Sequence, residues 1–334
     1  MDTETLAWLT LPPRQLPGPL TIFVLVSAFG FGALWGSFLN VVIARVPKGQ
    51  SVVTPRSRCP SCGTQIEARD NVPILSWLLL RAKCRACGAE ISARYPLIEL
   101  IGGVAGAGAV ARYGVSLASL ELFVFILVLV AISFIDLDTF TVPYGLVGAL
   151  CATGLGFGAL RCFVVGDGPG GLMKDALVSR VIGGVAAGVM LSSIVIVATG
   201  ILRRVKDKDG NPRVPPGETA MGWGDPLIFM GLGFCVGWQF LPLTLFLASI
   251  FGSVIGLGLQ ASGKLKGRGP ISEEDPWIPP DGAVPFGPFL ALGGILTACF
   301  GDAIHARLLP LLGLGEGGVL LPFMLEYLGG GVSQ

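Results

Sequence analysis

Apolar and polar positions fall into long blocks along this chain. Apolar runs cover roughly 19–43, 96–112, 117–135, 143–162, 178–202, 225–240, 242–261 and 285–303. A helix of about 20 apolar residues crosses the hydrocarbon core of a bilayer. In lipid every backbone N–H and C=O needs an internal partner, which a helix supplies within its own segment. The pattern therefore predicts an all-α polytopic membrane protein with about eight transmembrane helices. The second and sixth runs are short, and the second suits a tilted or partly interfacial helix. Composition agrees: 52% of the 334 residues are hydrophobic and 13% are charged, against about 25% charged in a soluble domain. The 50 glycines suit helices whose backbones approach closely in lipid.

The polar blocks set the expected orientation. The stretch after the first run holds Arg45, Lys48, Arg56, Arg58, Arg69, Arg81, Lys83, Arg85 and Arg94; later connectors hold Arg203, Arg204, Lys206, Lys208 and Arg213, then Lys264, Lys266 and Arg268. Basic loops stay on the cytoplasmic side. With eight crossings all three fall on one face, and both termini lie outside. Met1–Gly18 has two acids, one arginine and several prolines, unlike the basic start of a cleaved signal. The expected division is 1–44 as tail and first transmembrane helix, 45–95 as a cytoplasmic domain, 96–303 as the multi-span domain and 304–334 as a tail. Segment 263–283 reads as a solvated linker, and Gly318–Leu328 as a short interfacial stretch. The net charge of +1 identifies no partner beyond the lipid bilayer. No nucleic-acid partner is expected, and the oligomeric state is open.

Two acids stand out against the apolar blocks. Asp136 closes the run that starts at Glu121, and Asp225 ends Gly222-Trp223-Gly224-Asp225 just before another run. By the same topology both sit at the cytoplasmic boundary. A carboxylate at membrane depth costs a few kcal/mol on insertion scales. Two carboxyls brought together cannot both ionise, so one keeps a proton while the other acts as base. That is the chemistry of an aspartyl protease. Glycines at 222 and 224 are expected to permit unusual backbone conformations and to leave room for a substrate strand. Asp138 reads as a solvated boundary residue or a helix N-cap, and Glu121 as an outer interfacial residue. Asn40 and Glu99 read equally well as interhelical hydrogen-bonding groups. His305 is the one histidine, which almost excludes histidine triads and multi-histidine metal sites.

Cys59-Pro60-Ser61-Cys62 and Cys84-Arg85-Ala86-Cys87 form two CxxC knuckles, each followed by a glycine suited to a tight turn. The spacing reads as a four-cysteine structural zinc site. Two disulfides or a redox pair are the alternatives, disfavoured by a reducing cytoplasm. Zinc would replace the core that a domain of about fifty residues lacks. Cys151, Cys162, Cys235 and Cys299 lie in or beside apolar runs and read as packing residues.

Several motifs resemble one known family. Gly36-Ser37-Phe38-Leu39-Asn40-Val41-Val42, the two knuckles, Asn71-Val72-Pro73-Ile74-Leu75-Ser76-Trp77-Leu78 and Arg94-Tyr95-Pro96-Leu97-Ile98-Glu99-Leu100 look like the N-terminal half of bacterial type IV prepilin peptidases. Phe134-Ile135-Asp136-Leu137-Asp138-Thr139, Gly222-Trp223-Gly224-Asp225 and Pro285-Phe286-Gly287-Pro288-Phe289-Leu290 look like the protease half. The resemblance runs in the family's order from about residue 30 to 303. It implies an inner-membrane enzyme that removes the leader of prepilins or type II secretion pseudopilins, after a glycine, at the cytoplasmic face. It further implies N-methylation of the new terminus with S-adenosylmethionine as donor. Carried over by motif, the proteolytic aspartates are Asp136 and Asp225. Asn40, Arg94 and Glu99 are the candidates for methyl transfer, although no glycine-rich nucleotide loop accompanies them. Two positions depart from the family. Pro226 and Leu227 follow Asp225 where a lysine usually stands two residues on, and Tyr144 follows Pro143 where an acid or amide is common.

Two other functions compete. An ion-coupled transporter would use Asp136 and Asp225 as a relay, but would favour charges midway along spans and paired broken helices. A zinc-knuckle assembly factor would leave both acids structural.

Overall fold

The computed structural model describes residues 18–165, 172–206, 210, 212–214, 216–263 and 283–311. Its α-helices are α1 (Gly18–Arg45), α2 (Leu75–Leu79), α3 (Arg94–Tyr113), α4 (Leu117–Thr139), α5 (Tyr144–Val165), α6 (Leu172–Arg204), α7 (Gly224–Val236), α8 (Leu241–Ala261) and α9 (Gly287–Leu311). Among the described residues no strand forms, only isolated antiparallel bridges. Each of the eight apolar runs is thus a helix. Six of them, α1, α4, α5, α6, α8 and α9, are long and apolar enough to cross a membrane. The two outside that set are the two read as short: α3, which carries Arg94, Glu99 and Arg112, and α7, with 13 residues. Two ends differ from expectation. α6 begins at Leu172 rather than 178, and α9 continues to Leu311 rather than stopping at 303, because helical hydrogen bonding need not stop where the apolar run does. The N-terminal tail before Gly18, nearly all of the 263–283 linker and the 318–328 stretch lie outside the described residues.

The chain divides into two compact units, Met1–Ala149 and Leu150–Gln334. In the first, α1 and α3 pack backbone to backbone. A Cβ on Gly36 would stand 2.7 Å from Glu99 Cα and from the Ile98 carbonyl oxygen, and one on Gly106 would stand 2.5 Å from the Ala28 carbonyl oxygen. Small residues permit this approach, and dispersion then holds the helices together where lipid offers no hydrophobic drive. α4 starts at a capping box in which Ser116 Oγ accepts from the Ser119 amide and Ser119 Oγ accepts from that of Ser116. It is the most enclosed of the candidate spans, with 67% of its most apolar window buried. Glu121 is buried along with Leu122, Phe123, Phe125 and Ile126, so α4 is enclosed on this turn as well.

The second unit uses the same packing. A Cβ on Gly183 would stand 2.6 Å from the Gly233 carbonyl oxygen, fixing α6 against α7. One on Gly293 would stand 2.6 Å from that of Thr244, fixing α8 against α9, and the buried Thr244 hydroxyl donates to Thr297 Oγ1 at 3.2 Å.

Candidate active site and cysteine cluster

Asp136 lies in the last turn of α4, where its carbonyl accepts from the Phe140 amide at 2.9 Å. Phe140 closes the helix with φ of 52°, a left-handed conformation unusual for an aromatic residue. Leu129, Ile132 and Asp136 follow helical spacing along one side. The two apolar residues are fully buried and Asp136 is 4% exposed. Asp138 turns to another side of the helix. It is exposed at the helix end, as a solvated boundary residue would be, and it is not an N-cap but is paired. Both its oxygens accept from Arg94, Oδ1 from Nη1 at 2.8 Å and Oδ2 from Nη2 at 2.7 Å. Arg94 also donates to the Phe134 carbonyl oxygen at 3.3 Å and lies over the Phe134 ring. The arginine therefore grips α4 at positions on both sides of Asp136 in the sequence.

Asp225 belongs to the second unit and occupies the first turn of α7. Where Asp136 ends a buried stripe, Asp225 begins one: it is 8% exposed, and Ile228, Phe229 and Leu232 are fully buried. Pro226 follows it at little cost, because first-turn amides have no intrahelical acceptor. Leu227 is half-buried, so the departure from lysine places an apolar side chain in that turn. The approach to the helix is braced on α6. Arg203 donates to the Glu218 carbonyl oxygen at 2.7 Å, and the Ala220 amide donates to Thr199 Oγ1 at 2.9 Å. Neither Gly222 nor Gly224 is among the residues with left-handed φ, contrary to the expected conformational role. A Cβ at Gly222 would meet almost nothing, so exposed Gly222 borders open space.

The three residues considered for methyl transfer lie close together at the α1–α3 contact, each with an internal partner. Asn40 Nδ2 donates to the Tyr95 carbonyl oxygen at 3.2 Å, joining α1 to α3. Arg94 is clamped on α4. Glu99 Oε2 accepts from the Ile74 amide at 2.7 Å. Ile74 has φ of 62° and ψ of −51°, and the Leu75 amide bonds the Pro73 carbonyl across it at 2.6 Å. That is a γ-turn of the rare, strained hand, here centred on a β-branched residue. Ser76 steadies it, accepting from the Val72 amide at 2.9 Å and donating to the Arg69 carbonyl oxygen at 3.2 Å. Neither the Arg94 clamp nor this turn was foreseen. The only sequence signal for either was a charged residue within the first turns of an apolar helix.

The two knuckles fold as near copies. Gly63 and Gly88 have φ of 71° and 73°, and their amides donate to the Cys59 and Cys84 carbonyls at 2.9 Å each. Single antiparallel bridges, Arg58 with Gln65 and Lys83 with Glu90, close the two turns. All four Sγ atoms lie within 4.8 Å of one another, and those of Cys59 and Cys87 are 3.9 Å apart. Tetrahedral zinc with Zn–S of about 2.3 Å would separate its sulfurs by about 3.8 Å. No disulfide joins the thiols. Thr64, 3.3 Å away through its hydroxyl, brings the Cys62 thiol down to about 6. A hydrogen bond from the Ala89 amide pulls the Cys87 thiol down as well, but desolvation and the three neighbouring sulfurs outweigh it and push that thiol up to about 11. Four thiols this close would repel one another as thiolates, and a bound cation would relieve that repulsion. Arg85 ties the second knuckle to Asp70 through a fork of 2.8 and 2.7 Å bonds.

Comparison with known proteins agrees with this anatomy. The model of the bacterial peptidase A24 N-terminal domain matches residues 31–113, and that of the type IV leader peptidase family matches 123–257. A prepilin leader peptidase/N-methyltransferase of Myxococcus xanthus is 32% identical, with 89% of this chain and 96% of that protein covered. One of Stutzerimonas stutzeri is 34% identical over 86% of this chain and 94% of its own, and one of Burkholderia pseudomallei 32% over 87% and 92%. No solved structure gives a significant match. With relatives that similar over nearly their whole length, this multi-pass membrane protein belongs to the type IV leader peptidase family.

Proposed function

We propose that this chain is a membrane aspartyl endopeptidase that removes the leader from prepilins or pseudopilins and methylates the new N-terminus. The observation that carries the reading is the burial of Asp136 and Asp225, each at the end of an apolar helical stripe. The full-length likeness to leader peptidase/N-methyltransferases supports it. In the proposed mechanism one carboxyl, protonated, polarises the scissile carbonyl. The other, ionised, takes a proton from a water that attacks the carbonyl carbon. Collapse of the tetrahedral intermediate breaks the C–N bond, and the leaving amine takes up a proton.

The cytoplasmic domain of about 45–95 is proposed to hold one zinc through Cys59, Cys62, Cys84 and Cys87. Four protein ligands leave no position for a reacting water, so the metal would organise the fold. S-adenosylmethionine is the proposed methyl donor. Asn40, Arg94 and Glu99 remain candidates near that reaction, and their internal bonds also give each a structural task.

The proposed site is the cytoplasmic face of the bacterial inner membrane. Basic-loop bias places residues 46–93, 203–213 and 264–268 on one side only if α3 and α7 both cross. Both aspartates then lie on that side. Incubation of the purified protein with a prepilin peptide and S-adenosylmethionine tests the reading by mass: loss of the leader, then gain of one methyl group. An unchanged peptide with folded protein would refute it, and uptake of ions into vesicles would favour a transporter instead.

A further inference from the structure

The cysteine domain carries an apolar surface that its own fold does not cover. On α2, Leu75, Leu78 and Leu79 are 57%, 56% and 82% exposed. Their spacing puts them on one face of the short helix. The opposite side is committed to the domain: Ser76 is buried, and Trp77 Nε1 donates to the Ile91 carbonyl oxygen at 2.9 Å.

The latch at Ile74 fixes where this face sits. Ile74 immediately precedes α2, and its amide is bonded to Glu99. Glu99 lies five residues beyond Arg94, the first residue of α3, so the contact falls about 7.5 Å along the helix axis from its polar start. Interfacial helices bury their apolar faces about 5–10 Å into the headgroup and acyl boundary. Around this level α3 presents exposed Leu97 and Leu100, with exposed Val104 further along, on a helix that the proposed topology takes across the membrane. The Ile74 contact brings the start of the α2 leucine face to that level. Exposed Arg81 and Lys83 follow directly and carry the sign that anionic headgroups attract.

We propose that Leu75, Leu78 and Leu79 dock α2 into the lipid of the membrane that the chain spans, seating the cysteine domain on the bilayer. This rests on the multi-pass character of the protein and on α3 crossing the membrane, and not on the peptidase reading. Its failure would therefore leave that reading untouched.

The test uses the full chain in nanodiscs of phosphatidylethanolamine and phosphatidylglycerol. The photoreactive residue p-benzoylphenylalanine is incorporated at position 79, at position 56 in the same domain, and at position 97 as a lipid-facing reference. After illumination, intact-mass analysis should find phospholipid adducts at 79 in a yield like that at 97, and none at 56. Adduct at 97 without adduct at 79 would overturn the proposal. So would a cross-linked dimer, or a cross-link from 79 to an added prepilin peptide, either of which would give the leucine face a protein occupant.

Discussion

Removing the Glu99 carboxylate should release the segment that α3 holds. In Glu99→Ala the part-buried Ile74 amide loses its acceptor at 2.7 Å, and a donor left unsatisfied there costs up to about 1–3 kcal/mol. The turn itself, with φ of 62° at an isoleucine, stores a further ~1–3 kcal/mol, released on opening. The two effects act together, since the bond is what offsets the strain. Taking about 2 kcal/mol for the lost bond alone, local opening becomes roughly 30-fold more populated. Amide exchange through that opening rises in proportion. Hydrogen exchange followed by mass spectrometry on a peptide covering 72–80 reads this directly, with α4 peptides as the control for global unfolding. Glu99→Gln keeps an acceptor and should exchange only slightly faster than wild type. The reasoning fails if Glu99→Ala leaves the segment as protected as wild type, or if the glutamine and alanine variants behave alike.

Other expectations follow from the same contacts. Gly36→Ala forces a Cβ against Glu99 Cα and the Ile98 carbonyl and should destabilise by about 1–3 kcal/mol. Gly108→Ala in the same helix pair, with open space at its Cβ, should be neutral or stabilising; thermal melts that rank the two equally would contradict the α1–α3 packing. Metal analysis of reduced protein should find one zinc per chain, lost in a Cys59→Ser/Cys84→Ser variant that keeps part of its proteolysis. Metal-free wild type, or complete loss of cleavage in the folded variant, would count against the proposed division. Reporter fusions at Gly49 and Gly114 should lie on opposite sides of the membrane, and same-side results would mean that α3 does not cross.

Helix positions were legible because apolar runs and glycine-rich connectors are local signals. The knuckles were legible for the same reason: the spacing of Cys59 with Cys62 and Cys84 with Cys87, each with a following glycine, specifies a turn. The ends of α6 and α9 were not, since a hydropathy window stops where polar residues begin and a helix need not. Nor could the sequence show that Asp138 pairs with Arg94, 44 residues away, or that Glu99 reaches back 25 residues to Ile74. Such pairs depend on tertiary placement that no local pattern encodes. Gly222 illustrates the intermediate case. Its place in the Gly222-Trp223-Gly224-Asp225 run was readable, but the expected unusual φ is absent and open space lies beside it.

The central claim is that Asp136 and Asp225 act together on a peptide bond. Its most direct test is the mass of a prepilin peptide after incubation with wild type, Asp136→Asn, Asp225→Asn and Asp138→Asn, each shown to be folded by its melting curve. The account predicts cleavage by wild type and no detectable product from either Asp136→Asn or Asp225→Asn. Asp138→Asn should cleave at a near-normal rate, because the part-exposed pair it forms with Arg94 is worth only about 1 kcal/mol. Near-normal cleavage by either the Asp136 or the Asp225 variant, or an Asp138 variant as inactive as those two, would contradict it.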